Sequence, residues 1–279
     1  MNIIILGCGV IGGLTGRRLV ESGHQVIGVR RSARPDQSLG FPVVTGDISD
    51  SALYVSLTSA MTRIDAVLLS ANPGVRRGQD NGLETAANLV KWNLDGARLV
   101  YTGTTSVYGD ANGAGVDENG PLDPGPEAQA LLAIERAVLA VPGSLILRAT
   151  ALVGPTRNFA RDRLKAAAKD GKACVVKGDL DRPFSYLHEQ DLAELSVEAL
   201  GGAFGDGVLN AAAPERITVR GYYEALARQA GITAHVQSDG AATPSRWIDA
   251  RKLHALCPGR TWRTVSFPGG VGGPPMLES

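Results

Sequence analysis

Met1-Asn2-Ile3-Ile4-Ile5-Leu6 runs directly into Gly7-Cys8-Gly9-Val10-Ile11-Gly12. An apolar run of strand length that meets a Gly-x-Gly-x-x-Gly spacing predicts a buried strand, a tight turn and the start of a helix. In that arrangement Gly7 permits the turn, Gly9 lets the backbone approach a pyrophosphate, and Gly12 lets the helix pack close to the strand. The unpaired N–H groups at the helix start, Val10 and Ile11 among the residues carrying them, favour the anion. Glycine-rich turns are common, so the order strand, turn, helix carries more of the reading than the spacing does.

Working outward, Leu14 to Ser22 reads as a helix closed by Gly23, and His24 to Val29 as a second strand ending on Arg30-Arg31-Ser32. A Rossmann unit places a carboxylate at this point to hold the ribose 2′-OH of NAD. Two guanidinium groups stand there instead. Arginine forks match a phosphate dianion, so Arg30, Arg31 and Ser32 are expected to hold the 2′-phosphate of NADP, with NAD the weaker ligand. A solvated basic strand end is the alternative.

Phe41 to Ile48 supplies a third strand, Asp65 to Ala71 a fourth, a helix follows from about Asn81 to Asn93, and Ala97 to Thr102 is a fifth strand. Residues 110 to 126 form a Gly/Pro/Asp-rich loop, Glu127 to Leu139 a helix, and Ser144 to Arg148 a sixth strand. Strands alternating with helices predict an α/β, Rossmann-type, doubly wound parallel sheet with its ligands at the strand carboxyl ends. The expected division is a dinucleotide-binding domain over 1–154 and a smaller substrate lobe over 155–279, with Val208-Leu209-Asn210 returning to the sheet. The tail from Gly269 to Pro275 has loop composition.

The 28 basic and 28 acidic residues cancel, which removes any basic field for nucleic acid and any acidic interaction arm. The three cysteines, Cys8, Cys174 and Cys257, are too few and too scattered for a disulfide framework. Met1-Asn2 lacks a basic leader and no run is apolar for 18 residues, so a soluble cytoplasmic protein is expected. His24, His188, His235 and His254 share no ligand spacing, so no metal is expected. Asp117, Glu118 and Glu135 read as surface charges, Cys8 as a small filler, and Arg182 as a contact for an anionic substrate or an ordinary surface ion pair.

Taken together these segments resemble the extended short-chain dehydrogenase/reductase family, the NAD(P)-dependent epimerase/dehydratase group. Gly46-Asp47-Ile48 is similar to the family's adenine-holding segment, and Ser70-Ala71 to the strand end beneath the cofactor. Thr104-Thr105-Ser106-Val107-Tyr108-Gly109 resembles Ser-Ser-x-x-Val-Tyr-Gly, which puts Thr104 at the catalytic hydroxyl. Arg148 through Pro155 resembles the Arg…Tyr-Gly-Pro passage, His188 to Ala193 the His-x-x-Asp-x-Ala stretch, and Asn210 the final-strand Asn. The resemblance implies a small-molecule substrate, such as a sugar nucleotide, contacted by Arg148, Arg182 and His188, and a homodimer.

One departure bears on chemistry. The family has Tyr-x-x-x-Lys followed four residues later by Glu; the register set by Glu135 puts Glu127 at the Tyr position and Leu131 at the Lys position. The Lys lowers the phenol's pKa so that the Tyr can pass a proton, and Leu131 can do neither job. Two readings stand: an NADP-dependent oxidoreductase or epimerase in which Thr104 holds the substrate oxygen and Tyr108 or Glu127 supplies the proton, or an inactive NADP(H)-binding sensor.

Overall fold

The computed structural model describes residues 1–33, 38–61, 63–71, 82–92, 94, 96–157 and 159–265. In chain order its principal elements are β1 (Asn2–Leu6), α1 (Val10–Glu21), β2 (Gln25–Arg30), β3 (Val43–Thr45), α2 (Ser51–Ala60), β4 (Ala66–Leu69), α3 (Gly82–Lys91) and β5 (Arg98–Thr104). There follow β6 (Gly115–Val116), α4 (Pro126–Leu139), β7 (Leu145–Ala149), β8 (Ala151–Val153), α5 (Phe159–Lys169), β9 (Cys174–Val176), β10 (Pro183–Phe184) and β11 (Tyr186–His188). The chain closes with α6 (Glu189–Leu200), β12 (Gly207–Ala211), β13 (Ile217–Thr218), α7 (Val219–Gln229), β14 (Val236–Ser238), β15 (Trp247–Ile248) and α8 (Arg251–Leu256).

This is an α/β fold on a seven-stranded sheet ordered β12-β7-β5-β4-β1-β2-β3. Pairing is parallel at β1–β2, β1–β4, β2–β3 and β4–β5. β1 and β4 are buried on both faces, Ile3 to Leu6 and Ala66 to Leu69 being 0% exposed, which is why they read as unbroken apolar runs. The chain winds from β1 outward to β3, then returns to place β4 on the other side of β1. The gap between the carboxyl ends of β1 and β4 is therefore the topological switch point, where ligands of such sheets bind.

The first helix starts four residues earlier than expected, at Val10, because Gly9 is its extended N-cap and Gly12 and Gly13 lie inside it. A helix also fills the stretch left unassigned between the third and fourth strands: Asp50 caps α2 by accepting from the Ala52 N–H, and Leu53, Tyr54 and Leu57 bury one face. The proposed tail and the helix limits Asn81 and Asn93 lie outside the described residues.

A single cut after 154 does not describe the division of the chain. One unit comprises Met1–Val107, Leu122–Arg148 and Leu192–Leu209; the other comprises Tyr108–Pro121, Ala149–Asp191 and the chain from Asn210 onward. The first holds a core of Ile4, Leu6, Val67, Leu69, Leu99 and Tyr101 from the sheet against Leu57, Leu89, Ile134 and Val138 from the helices. The second has its own core, centred on Leu164, Tyr186, Val219, Tyr222 and Leu226. Val208 to Asn210 lies within β12, an edge strand of the large sheet. The loop 110–126 contains β6, which pairs with β15.

Candidate functional site

Gly7 follows β1 with φ +107°, a conformation that L side chains avoid. A Cβ there would fall 2.4 Å from the Ala71 nitrogen, so the turn after β1 and the end of β4 approach backbone to backbone. A Cβ on Gly12 would fall 2.3 Å from the Gly7 carbonyl oxygen, which ties α1 to the turn. At Gly9 a Cβ would meet nothing within 4 Å. Gly9 is exposed, and the α1 start behind it carries no side-chain cap. An open, uncapped helix N-terminus beside a glycine turn fits a dinucleotide pyrophosphate.

Around this cradle the sequence-predicted cofactor residues fall in the same unit. The Arg30 guanidinium donates through Nε to the Cys8 carbonyl, and Arg31, 52% exposed at its side chain, places Nε 3.5 Å from Asp47 Oδ2. Asp47 Oδ1 accepts from Ser49 N at 3.0 Å and from Ser49 Oγ at 2.8 Å. The Ser49 N–H, with the Ser49 hydroxyl and Arg31 assisting, holds the Asp47 carboxyl below the ordinary carboxylate range. Ile48 is buried and its carbonyl accepts the Tyr54 hydroxyl at 2.8 Å. Ser32 is exposed, and Ser70 Oγ accepts from the Thr102 hydroxyl at 3.2 Å. Burial raises the Cys8 thiol to about 11, which leaves it a neutral filler.

At the end of β5, Thr104 Oγ1 and Ser106 Oγ are 3.1 Å apart, and the Ser106 N–H donates to Thr104 Oγ1 at 3.2 Å. Ser106 lines a cavity of about 330 Å³ together with Asp123, Gly125, Pro126, Glu127, Ala128 and Leu131. The start of α4 thus brings Glu127 and Leu131 to the cavity that Ser106 shares. Glu127 is an exposed first-turn acid, where the helix dipole favours its charge.

Several expected site residues have other partners. Arg148, expected on substrate, is 5% exposed and clamps the equally buried Glu135, with Nε 3.0 Å from Oε1 and Nη2 2.7 Å from Oε2. Glu135 is therefore no surface charge, since a carboxylate turned inward from α4 needs this cation. Glu118, also expected at the surface, is 4% exposed at its side chain, accepts the Asn210 N–H at 2.9 Å and lies 3.4 Å from Lys252 Nζ. Tyr108 is 1% exposed and its hydroxyl donates to Asn210 Oδ1 at 2.7 Å. Asn210 Nδ2 in turn reaches the carbonyls of Val116 and Asp249, so Tyr108 belongs to a buried hub in the second unit. His188 is buried, and its Nδ1 accepts the Gln190 N–H at 3.1 Å. Arg182 Nη2 lies 3.5 Å from the Lys177 carbonyl while its buried Nε has no hydrogen-bond partner among the described residues. Ser106, Asp123 and the Glu135–Arg148 pair escaped the sequence reading. For Ser106 the signal was present, two residues past Thr104.

The family model for the NAD dependent epimerase/dehydratase family matches residues 3–212. A 2-alkyl-3-oxoalkanoate reductase of Stenotrophomonas maltophilia (strain K279a) is 30% identical over 221 residues, 72% of this chain and 66% of the reductase, so the match spans just under two thirds of that relative's length. Among solved structures, the Bordetella bronchiseptica enzyme WbmH in complex with NAD+ superposes with a TM-score of 0.77 at 21% identity, covering 98% of this chain and 96% of that one. UDP-glucuronic acid 4-epimerase from Bacillus cereus in complex with NAD gives 0.76 at 20% identity, covering 98% and 97%. At those identities the likeness is one of fold. No described helix is long and apolar enough to cross a membrane.

Proposed function

The chain belongs to the NAD dependent epimerase/dehydratase family, and from that premise we propose that it is an NADP-dependent oxidoreductase acting on a carbonyl or secondary alcohol. The observation that carries the reading is the cavity in which Ser106, hydrogen-bonded to Thr104, meets Glu127 and Leu131. It brings Ser106 to one cavity with the Glu127 carboxyl, and the resemblance implies that Glu127 and Leu131 stand at the family's Tyr and Lys positions.

In this reading Gly7 to Gly12 cradle the pyrophosphate, Ser70 and Ala71 pass beneath it, and Asp47 with Ile48 holds the adenine. Arg31 meets the 2′-phosphate, its exposed fork exchanging some of its attraction to Asp47 for the dianion. A nicotinamide cofactor held by these residues would supply or accept the hydride. Thr104 orients the substrate oxygen, and Glu127 is the proton source, since Tyr108 is committed to Asn210. The reductase relative is named for a 2-alkyl-3-oxoalkanoate and the epimerase neighbour for UDP-glucuronic acid, the one a carbonyl compound and the other a polyol, so each offers a carbonyl or a secondary alcohol.

The test is NADPH consumption against a panel of 3-oxo esters and oxidised sugar nucleotides, beside NADPH titration of the same sample. Turnover with any member supports the reading. Tight NADPH binding without turnover favours the second reading, an NADP(H)-binding sensor, to which the loss of the Tyr-Lys pair at Glu127 and Leu131 speaks.

A further inference from the structure

We propose that Ser106 is a catalytic residue: its hydroxyl relays the proton from Glu127, through the water of their shared cavity, to Thr104 and so to the substrate oxygen. The inference rests on the oxidoreductase reading above and names the path by which a proton crosses a site without the Tyr-Lys pair.

Hydrogen-bond bookkeeping at Thr104 gives the direction that a relay requires, since either hydroxyl of the pair can donate. A hydroxyl has one proton and two acceptor sites. The Ser106 N–H takes one acceptor site of Thr104 Oγ1 at 3.2 Å. With Ser106 Oγ 3.1 Å away, donation by the Ser106 hydroxyl fills the second and leaves the Thr104 proton for a third oxygen. The donation in the other sense would spend the Thr104 proton inside the protein and leave nothing for substrate. Ser106 Oγ then keeps its own acceptor sites for a donor on the cavity side, where Asp123 and Glu127 are the acidic lining groups. Asp123 is engaged, its Oδ1 accepting the Gly125 N–H at 2.7 Å. Glu127 is exposed at the helix start and can exchange protons with solvent. Leu131, 4% exposed, brings no cation to the cavity.

The step balances. When bound, the reduced nicotinamide would supply the hydride to the carbonyl carbon and be left oxidised. Thr104 passes its proton to the substrate oxygen as the alcohol forms, the Ser106 proton replaces it, and the Glu127 carboxyl proton reaches Ser106 through water. The carboxylate left behind is reprotonated from solvent.

The experiment compares wild type, Ser106→Ala, Ser106→Thr, Glu127→Gln and the Ser106→Ala/Glu127→Gln double variant in NADPH-dependent reduction of a 3-oxo ester or oxidised sugar nucleotide turned over by wild type. Readouts are kcat, KM, the kcat–pH profile and the solvent deuterium isotope effect. A relay predicts that Ser106→Ala and Glu127→Gln each lower kcat by about 10²-fold with NADPH binding unchanged. The double variant should be no slower than either single one, because the residues act as one unit. Ser106→Thr should restore kcat, and the alkaline limb of the profile should vanish in Glu127→Gln alone or combined. Wild-type turnover with Ser106→Ala at full kcat, or with losses that multiply in the double variant, overturns the relay and leaves the oxidoreductase reading standing. No wild-type turnover with any carbonyl overturns both.

Discussion

Arg148 Nη2 lies 2.7 Å from Glu135 Oε2, and both side chains are under a tenth exposed, at 7% and 4%. The pair joins the middle of α4 to β7. Because α4 also carries Glu127 and Leu131, two turns and one turn before Glu135, the ion pair sets the rotation of the helix and so which residues reach the cavity.

Breaking one half of that pair strands a charge in the core. Glu135→Gln or Arg148→Met is expected to cost about 3–5 kcal/mol, measured by urea denaturation. Glu135→Leu combined with Arg148→Met should recover most of the loss, because two apolar groups replace two charges. A double variant as unstable as the single ones would show that the loss comes from removing the pair itself and not from stranding a charge.

The glycine turn separates folding from cofactor binding. Gly7→Ala forces a side chain into φ +107° and into the Ala71 backbone, and should destabilise the protein by roughly 2 kcal/mol or more. Gly9→Ala meets open space at φ −75°, so stability should stay within about 0.5 kcal/mol. NADPH affinity should nonetheless fall by about tenfold or more, as the methyl occupies the pyrophosphate's approach. Fluorescence titration and thermal melts on the same samples decide it; unchanged NADPH affinity in Gly9→Ala would place the cofactor elsewhere.

Selectivity for the 2′-phosphate depends on Arg31. Arg31→Ala removes a charge-assisted contact, so NADPH affinity should drop by roughly 10- to 100-fold while NADH affinity stays within about twofold. Raising the salt concentration should weaken NADPH binding in wild type more than in the variant. Equal losses for both cofactors would remove the phosphate contact.

Cys8 makes a pH prediction. Its thiol is raised from 9.0 to about 11, first by burial, against the Val29 backbone hydrogen bond and the Arg30 charge. A group whose folded value is raised stabilises the native state fully below the unfolded value, and the contribution is lost as pH rises through the folded one. Wild type should therefore lose stability between about pH 9 and about pH 11, and Cys8→Ala should flatten that limb of the curve. Iodoacetamide labelling of native protein should stay slow at pH 9 and reach the denatured rate only near the upper value.

Much of unit one was legible from composition and order. Buried parallel strands carry no polar face, so β1, β4, β5 and β7 stand out as apolar runs, and the glycine spacing marked the turn. The helix α2 escaped because its Ser and Thr residues mask the period, although Asp50 and the Leu53–Leu57 spacing were there to find. In the second unit most strands are two or three residues long, too short for a period to register, and residues 115–116 pair with 247–248, nearly half the chain apart. Sequence spacing gave the register of Glu127, Leu131 and Glu135. Which face of α4 turned inward depended on Arg148, and no local pattern announces a partner that far along the chain. The same holds for Tyr108, whose exit from the catalytic list depends on Asn210.

Tyr108→Phe distinguishes a structural hydroxyl from a chemical one. Tyr108 donates to Asn210 Oδ1, Asn210 Nδ2 donates to the Val116 and Asp249 carbonyls, and the Asn210 N–H donates to Glu118. Deleting the phenol oxygen removes a donor from a fully buried amide, which should cost about 1–3 kcal/mol. Asn210→Ala should cost at least as much, because it unseats β6, the Asp249 carbonyl and Glu118 together. In the active protein kcat for Tyr108→Phe should stay within about threefold of wild type once corrected for folded fraction, since the proton travels by Glu127. A fall in kcat of about 10²-fold with unchanged stability would return Tyr108 to the chemistry and displace Glu127 as the proton source.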